Sequence, residues 1–261
     1  MDLIVTTIHK PTPAAAECAH ALAASLGAPF VERGRHSLDA LCAEYGVDTV
    51  LVAAKNGPVV HTPGGEYFFH LSMAELRINN LKDGKPDHMI AAMGLAPGMS
   101  VLDCTLGLAT DAAVASFVTG AGGRVVGLEA SPVIATITGY GLAGFASGRP
   151  DVDAALRRIE VANADYNEYL SGLTPAAFDV VYFDPMFRAP VAASSSLRPL
   201  RHLADPRPVT PAAIAAARRV ARRRVVLKEA SGSGEFARLG FTNVVGGRYS
   251  SVHYGILEAG C

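Results

Sequence analysis

Val101-Leu102-Asp103-Cys104-Thr105-Leu106-Gly107 is a short apolar run that ends in an acid, a hydroxyl and a glycine, and a helix-compatible stretch follows from Asp111. A first β-strand hands over to a binding loop and a helix in this way in an open α/β sheet, where ligands sit outside the carboxyl ends of the strands. The loop has one glycine instead of G-x-G-x-x-G, and Thr110-Asp111 stands where a Walker motif needs its lysine. Neither the dinucleotide nor the P-loop fingerprint is therefore present, and the loop is not read as a pyrophosphate cradle.

Working outward, the same pattern of apolar run, acid and helix repeats. Residues 124–129 read as a strand ending in Glu129, 159–165 as one closed by Asp165, and 178–184 as one ending in Asp184. Helices are expected over 111–120, 131–140, 151–158 and 211–221. Residues 224–228 form a fifth strand, followed by an antiparallel pair at 241–245 and 251–257. The Ala/Ser/Pro-rich stretch 189–211 reads as a long loop, of a length that tends to carry function. Ahead of all this, residues 1–85 read as a small N-terminal α/β module, a candidate substrate-binding element or lid. It has strands at 3–7, 29–32 and 48–53, helices at 13–26 and 38–45, and a hairpin around Val59-Val60-His61. The polar segment 79–87, with Gly84 and Pro86, suits a hinge, and the catalytic domain is set at 86–261.

With 261 residues, half of them apolar, the chain can bury a sizeable core. No apolar run approaches the ~20 residues of a membrane span, and Asp2 stands where a signal peptide needs basic charge; the expected location is cytoplasmic. The four cysteines and eight histidines are scattered, so neither disulfide nor metal is expected. Net charge is −1, yet between Arg188 and Lys228 ten cations face the single acid Asp205. That window fits a face that meets a polyanion, and it equally fits arginines solvating the outer face and end of a helix.

The acid-ended strands at Asp103, Glu129 and Asp165, followed by Asp184-Pro185-Met186-Phe187, resemble a class I S-adenosylmethionine-dependent methyltransferase. That family has a Rossmann-like, seven-stranded mixed α/β sheet. The resemblance implies that Asp103, Thr105, Leu106, Gly107, Thr110 and Asp111 form the loop and helix start beside the methionine part of S-adenosyl-L-methionine. It implies that Glu129, with Ala130, binds the ribose hydroxyls, that Asp165 and Tyr166 lie beside the adenine, and that Asp184 borders the cofactor. The chemistry is consistent: one carboxylate accepts both O–H groups of a vicinal diol, and a sulfonium cation favours an acid-lined edge.

Asp184-Pro185-Met186-Phe187 also resembles the Asp/Asn-Pro-Pro-aromatic motif of enzymes that methylate amino groups on planar rings, with Met186 in place of the second proline. The implied catalytic residues are Asp184, Pro185 and Phe187. The Asp184 carboxylate and Pro185 carbonyl accept the two N–H groups and aim the lone pair, and Phe187 stacks on the ring; packing in the core is the other reading of Phe187. Thr105-Leu106-Gly107, Thr110-Asp111, Glu129 with Ser131-Pro132-Val133, and the Asp-Pro-Met-Phe run before a Ser-rich segment are similar to the small-subunit ribosomal RNA guanine-N2 methyltransferases. The chain departs from the best-known members at Thr110, where they have Arg, and at Arg188, where they have Pro. The partner implied is RNA, with Phe69, His70, Arg77, Arg188, Ser195, Arg198 and Arg201 as substrate-binding candidates; an apolar stripe of Phe68, Leu71 and Leu76 gives the first three a packing reading as well. DNA, a protein amide or a small aromatic amine are alternative substrates, and a non-catalytic cofactor- or RNA-binding relative is the alternative outside enzymes. Lys228 is left unassigned.

Overall fold

The computed structural model describes residues 3–71, 73–185 and 198–259, Arg198 through its backbone alone. It contains two compact units: one formed by Met1–His70, Ser131–Gly144 and Ala192–Asp205, and the other by Leu71–Ala130, Phe145–Val191 and Pro206–Cys261.

In the smaller unit, β1 (Leu3–Thr7) leads through α1 (Pro13–Leu26) and α2 (Leu38–Tyr45) to β2 (Thr49–Ala54), β3 (Gly57–Thr62) and β4 (Gly65–Phe68). Both helices begin at a hydroxyl cap, Thr12 and Ser37, and end at a left-handed glycine, Gly27 and Gly46. Those signals place the helix ends where the sequence sets them. The strands form one sheet in the order β1-β2-β3-β4, with β1 and β2 parallel and the rest antiparallel. The expected strand at 29–32 reduces to a single bridge between Val5 and Phe30, because Pro29 has no N–H to extend a ladder.

The larger unit begins with α3 (Met73–Lys82) and α4 (His88–Met93). The division thus differs from a boundary at 85/86: α3 belongs with the larger unit, and the expected hinge is helical through Lys82 and followed by the Asp87 cap of α4. Then follow β5 (Ser100–Asp103), α5 (Thr110–Thr119), β6 (Arg124–Glu129), α6 (Pro132–Gly144), α7 (Pro150–Arg157), β7 (Ile159–Asn163), α8 (Tyr166–Gly172) and β8 (Phe178–Phe183). The chain ends with α9 (Arg198–Leu203), α10 (Pro211–Val220), β9 (Ala221–Ala230), α11 (Glu235–Arg238), β10 (Asn243–Val245) and β11 (Val252–Glu258). Of these, α6 and α9 fall in the smaller unit: α6 packs on α1 and β3, with the ring of Phe69 against the backbone of Gly141. Helices α8, α9 and α11 are additional to the sequence expectation; α9 replaces part of the expected loop 189–211.

Among the described residues the larger unit has a seven-stranded sheet in the order β10-β11-β9-β8-β5-β6-β7. Strands β5 to β9 are parallel, and β11 and β10 close the edge antiparallel. The chain leaves β5 towards β6 and β7, then returns to β8 and β9 on the other side, so the order reverses between β5 and β8. Such a reversal opens a crevice at the carboxyl ends of the strands. One face of the sheet is sealed by Leu102, Val126, Leu128, Phe178, Val181, Phe183, Val225 and Leu227, against Ala213, Ile214 and Ala217 of α10.

The loop after β5 is held from beneath. Leu106 is buried, its N–H donates to the Leu128 carbonyl at 2.9 Å, and its side chain fills the space over Gly127. A Cβ at position 127 would lie 2.3 Å from Leu106 Cδ1. Gly127→Ala is therefore expected to cost about 1–3 kcal/mol by overpacking, read as a fall in melting temperature of roughly 2–4 °C per kcal/mol in a chain of this size. Combining it with Leu106→Ala should cost less than the two changes summed.

Candidate active site

The sheet brings the acids together by register. Asp103 is the last residue of β5 and pairs with Tyr182 of β8, Glu129 is the last of β6, and Asp184 follows β8 directly. After Asp103 the chain turns sharply. Thr105 N–H donates to Asp103 Oδ1 at 3.0 Å, and Gly107 N–H donates to Glu129 Oε2 at 3.1 Å. Gly107 and Ala109 both take left-handed backbone angles, φ 52° and 59°. Left-handed φ is sterically costly for a residue with a Cβ, and Ala109 is buried in that state immediately before α5. Asp184 is fixed to the same loop, because its N–H donates to Thr105 Oγ1 at 2.6 Å.

A buried ion cluster lies beside this loop. Asp111, in the first turn of α5, accepts from Tyr182 Oη at 2.7 Å, from Lys228 Nζ at 2.9 Å and from Arg77. Lys228 Nζ also donates to Asp184 Oδ2 at 2.7 Å, and Arg77 donates to both oxygens of Asp87, at 2.7 and 3.0 Å. Burial disfavours the charge on Asp111, but Lys228, Arg77 and the Tyr182 hydroxyl outweigh it and hold the carboxyl well below the usual range. Burial likewise works against the Lys228 and Arg77 cations, and their carboxylate partners overcome it, so both are held more firmly protonated than in water. At Asp184 burial wins, aided by Asp111 and opposed by Lys228, and the carboxyl is raised. Asp103 is pushed up to about 8 by burial, against the Thr105 hydrogen bond and with the help of Asp111 and Asp184. Two cations thus face three carboxylates in the cluster, with Asp103 and Glu129 alongside. The edge is short of positive charge.

Several expected site residues also take structural parts. Arg77, a substrate candidate, has its guanidinium buried between Asp87 and Asp111; it belongs to the cluster. Asp165 lies two residues beyond the end of β7 and caps α8, accepting from Asn167 N–H at 2.7 Å and from Arg207 at 2.5 Å. Leu106 serves packing, as described, while Thr110 opens α5 and Tyr166 opens α8, its ring edge-on to Phe183. Ala130 follows Glu129, and its carbonyl accepts from the Asn163 amide at 3.2 Å. In the smaller unit Phe69 packs on Gly141, His70 is exposed with its ring edge-on to Phe68, and Arg201 is exposed on α9. Phe187, Arg188, Ser195 and the Arg198 side chain lie outside the described residues, as does Met186. Much of the basic window serves the larger unit's own fold. Arg219 donates to the Leu170 and Leu173 carbonyls, Arg222 to Asp179 and the Ala176 carbonyl, and Arg224 pairs with Glu258. Lys228 and Arg77 are the site residues that the sequence left unassigned or misassigned. For Lys228 the sequence offers only a lysine at the end of a strand; its place follows from the register, one step past Leu227, which pairs with Phe183.

A family model described as "Putative SAM-dependent methyltransferase" matches residues 68–239. The chain belongs to that family. YpiP of Bacillus subtilis strain 168, named as an uncharacterized protein, is 35% identical over 255 residues, 98% of this chain and 99% of that one. Ribosomal RNA small subunit methyltransferase J of Hydrogenovibrio crunogenus is 31% identical over 150 residues, 56% of this chain and 53% of that protein, and the same enzyme of Coxiella burnetii is 34% identical over 64% of this chain and 65% of its own length. A solved SAM-dependent methyltransferase from Neisseria gonorrhoeae shares the fold, with a TM-score of 0.67 at 18% identity over 98% of this chain and 96% of that one.

The cofactor of this methyltransferase is S-adenosylmethionine, and the residues present fit it: the crevice edge carries excess carboxylate where a sulfonium cation must be accommodated, and Glu129 supplies a carboxylate at the end of β6. When bound, the cofactor supplies an electrophilic methyl group. Among the described residues no cluster of histidine, cysteine or carboxylates could hold a metal ion, and no helix is long and apolar enough to cross a membrane.

Asp103 gives a test of this electrostatic reading. Its folded value of about 8 exceeds the ~3.9 of a free aspartate, so the folded state binds the proton more tightly. The resulting stabilisation is complete below about pH 4 and is lost as pH rises through about 8. Melting curves of cofactor-free protein should show Asp103→Asn gaining on wild type from pH 5 up to about pH 8 and levelling off above it; a constant gap would contradict it.

Proposed function

We propose that this methyltransferase transfers its methyl group to the exocyclic N2 amine of a guanine in small-subunit ribosomal RNA. The observation that carries the reading is the anchoring of Asp184 and Pro185 at the point where the strand order reverses, with the Asp184 N–H bonded to Thr105 of the cofactor-side loop. An amine on an aromatic ring shares its lone pair with the ring and is a poor nucleophile. Two acceptors on adjacent residues, the Asp184 carboxylate and the Pro185 carbonyl, match its two N–H groups and turn the lone pair out of conjugation. Positioning and electrostatics of this kind supply the catalysis. Bound S-adenosylmethionine would supply the electrophilic methyl group to that lone pair, and the amine, made acidic by the transfer, would shed its extra proton to solvent without a strong base.

The named relatives that act on small-subunit ribosomal RNA support the substrate class, and the Asp-Pro-Met-Phe run supports an amine on a planar ring. A base within folded RNA has to be extruded to reach such a crevice. Phe187 is assigned to stack on that base, and Arg188, Ser195, Arg198, Arg201 and His70 to flanking phosphates. Binding would then weaken steeply with salt, and the enzyme would work where ribosomes are assembled, in the cytoplasm. The smaller unit is assigned to substrate binding. Asp103, Thr105, Gly107, Thr110, Glu129, Ala130, Asp165 and Tyr166 are assigned to cofactor binding.

Two measurements test this. Titration calorimetry with S-adenosylhomocysteine should show saturable binding to wild type that Glu129→Ala weakens by at least tenfold and Asp184→Ala leaves within about threefold. Mapping of N2-methylguanosine in ribosomal RNA should show one site that is lost on deleting the gene, restored by wild type and not restored by Asp184→Ala. An unchanged methylation map refutes the RNA substrate.

A further inference from the structure

Lys228 is a buried cation with two carboxylates on one ammonium group, and nothing in the cofactor assignment requires it. Its position follows from the sheet: β9 runs parallel to β8, Leu227 pairs with Phe183, and the next step sets Lys228 beside Asp184. One of its two partners is immobile. Asp111 is 7% exposed and is held on its other contacts by Tyr182 and by Arg77, which Asp87 fixes in turn. The second partner is the exposed one, since Asp184 retains 28% of its side-chain surface, and Lys228 is the sole donor to its carboxylate among the described residues.

We propose that Lys228 is a positioning residue for methyl transfer. It is anchored on Asp111 and holds Asp184 Oδ2 in an ion pair, so that Asp184 Oδ1 is presented to an N–H of the substrate amine. The proposal rests on the assignment of Asp184 as amine acceptor. It adds the device that keeps that acceptor charged and aimed. A protonated Asp184 would offer an O–H where an acceptor is needed, and burial together with the neighbouring Asp111 carboxylate drives it that way; the Lys228 ammonium is the group that opposes both. The groups facing this carboxylate are Lys228 on β9, Asp111 on α5, Asp103 on β5 and Tyr182 on β8, with Arg77, Asp87 and Tyr254 of β11 next to Asp111. In the working pH range Lys228 and Arg77 stay cationic, both tyrosines stay neutral, and Asp111 and Asp87 stay anionic. Asp103 and Asp184 are the carboxyls left to titrate.

The two neighbours of Asp184 therefore act on it with opposite sign, and the shift they set is carried into the pH dependence of methyl transfer only where Asp184 acts on the amine. The test is the carboxyl-carbon titration of Asp184 in full-length protein with ¹³C-labelled aspartate, its signal assigned through Asp184→Asn. In Lys228→Met the midpoint should rise by at least one pH unit. In Asp111→Asn, which leaves Lys228 to Asp184 alone, the midpoint should fall. Lys228→Arg, which keeps the cation, should return it towards wild type. Methylation assays across pH on the same variants should place the acid limb of kcat higher in Lys228→Met, with a loss of at least ~100-fold at neutral pH and S-adenosylhomocysteine affinity within about threefold of wild type. Midpoints that stay put, or that move in the same direction in both variants, overturn the proposal. Should Lys228→Met fail to fold, Asp111→Asn decides alone: a midpoint that stays or rises is contrary to it. The titration needs no substrate. If it behaves as expected while ribosomal RNA methylation is unaffected by the gene, the substrate assignment is what fails, and the Lys228 assignment stands as a property of the carboxylate.

Discussion

The arrangement of the site depends on keeping one buried carboxylate charged. Asp111 sits in the first turn of α5 and is almost inaccessible, where an isolated carboxylate would be strongly disfavoured. Lys228 from β9, Arg77 from α3 and the Tyr182 hydroxyl from β8 compensate it. Because the three partners come from three separate elements, the charge fastens α3, α5, β8 and β9 into one relation. A buried ion cluster is weak evidence for stability, since desolvation offsets most of the attraction; removing one partner is nonetheless strongly destabilising. Here its clearest result is placement, because the same lysine reaches Asp184.

The loop between β5 and α5 meets that constraint from the other direction. It must deliver Asp103, Thr105 and Gly107 to the crevice and still place Asp111 at the start of a helix a few residues later. Six residues between two rigid elements leave little slack, and the chain closes the distance with left-handed backbone at Gly107 and Ala109. Leu106, pressed over Gly127, supports the turn from inside. Strain in a loop of this kind is sustained only where the surroundings over-determine it, and the hydrogen bonds from Thr105, Gly107 and Asp184 do so.

The main strands and the order of their terminal acids were legible because each acid interrupts an apolar run, and apolar runs of that length in a parallel sheet are buried on both faces. Asp103, Glu129 and Asp184 stand at strand ends on that signal. Asp165 carries the same signal two residues past β7 and also caps a helix, because α8 follows it at once. Arg77 and Lys228 were not legible as site residues, because their function lies in partners 34 and 117 positions away at Asp111; no local pattern encodes that pairing. The basic window misled in a similar way. Its charge is real, yet Arg219, Arg222 and Arg224 are committed to carbonyls and carboxylates of their own unit, which only tertiary structure discloses. The boundary expected near residue 85 differs from the division into compact units, because polar composition marks the surface of α3 as readily as a linker.

Helix α6 leaves β6 of the large sheet, yet its packing partners are α1 and β3 of the smaller unit. Val133, Ile134, Ile137 and Leu142 are among its buried side chains. The smaller unit is thus built from three separated pieces of chain, and the larger likewise, so neither can be excised at a single cut. A truncation that removes the whole of the smaller unit therefore also removes stretches of the larger one, and shortening this chain cannot isolate either.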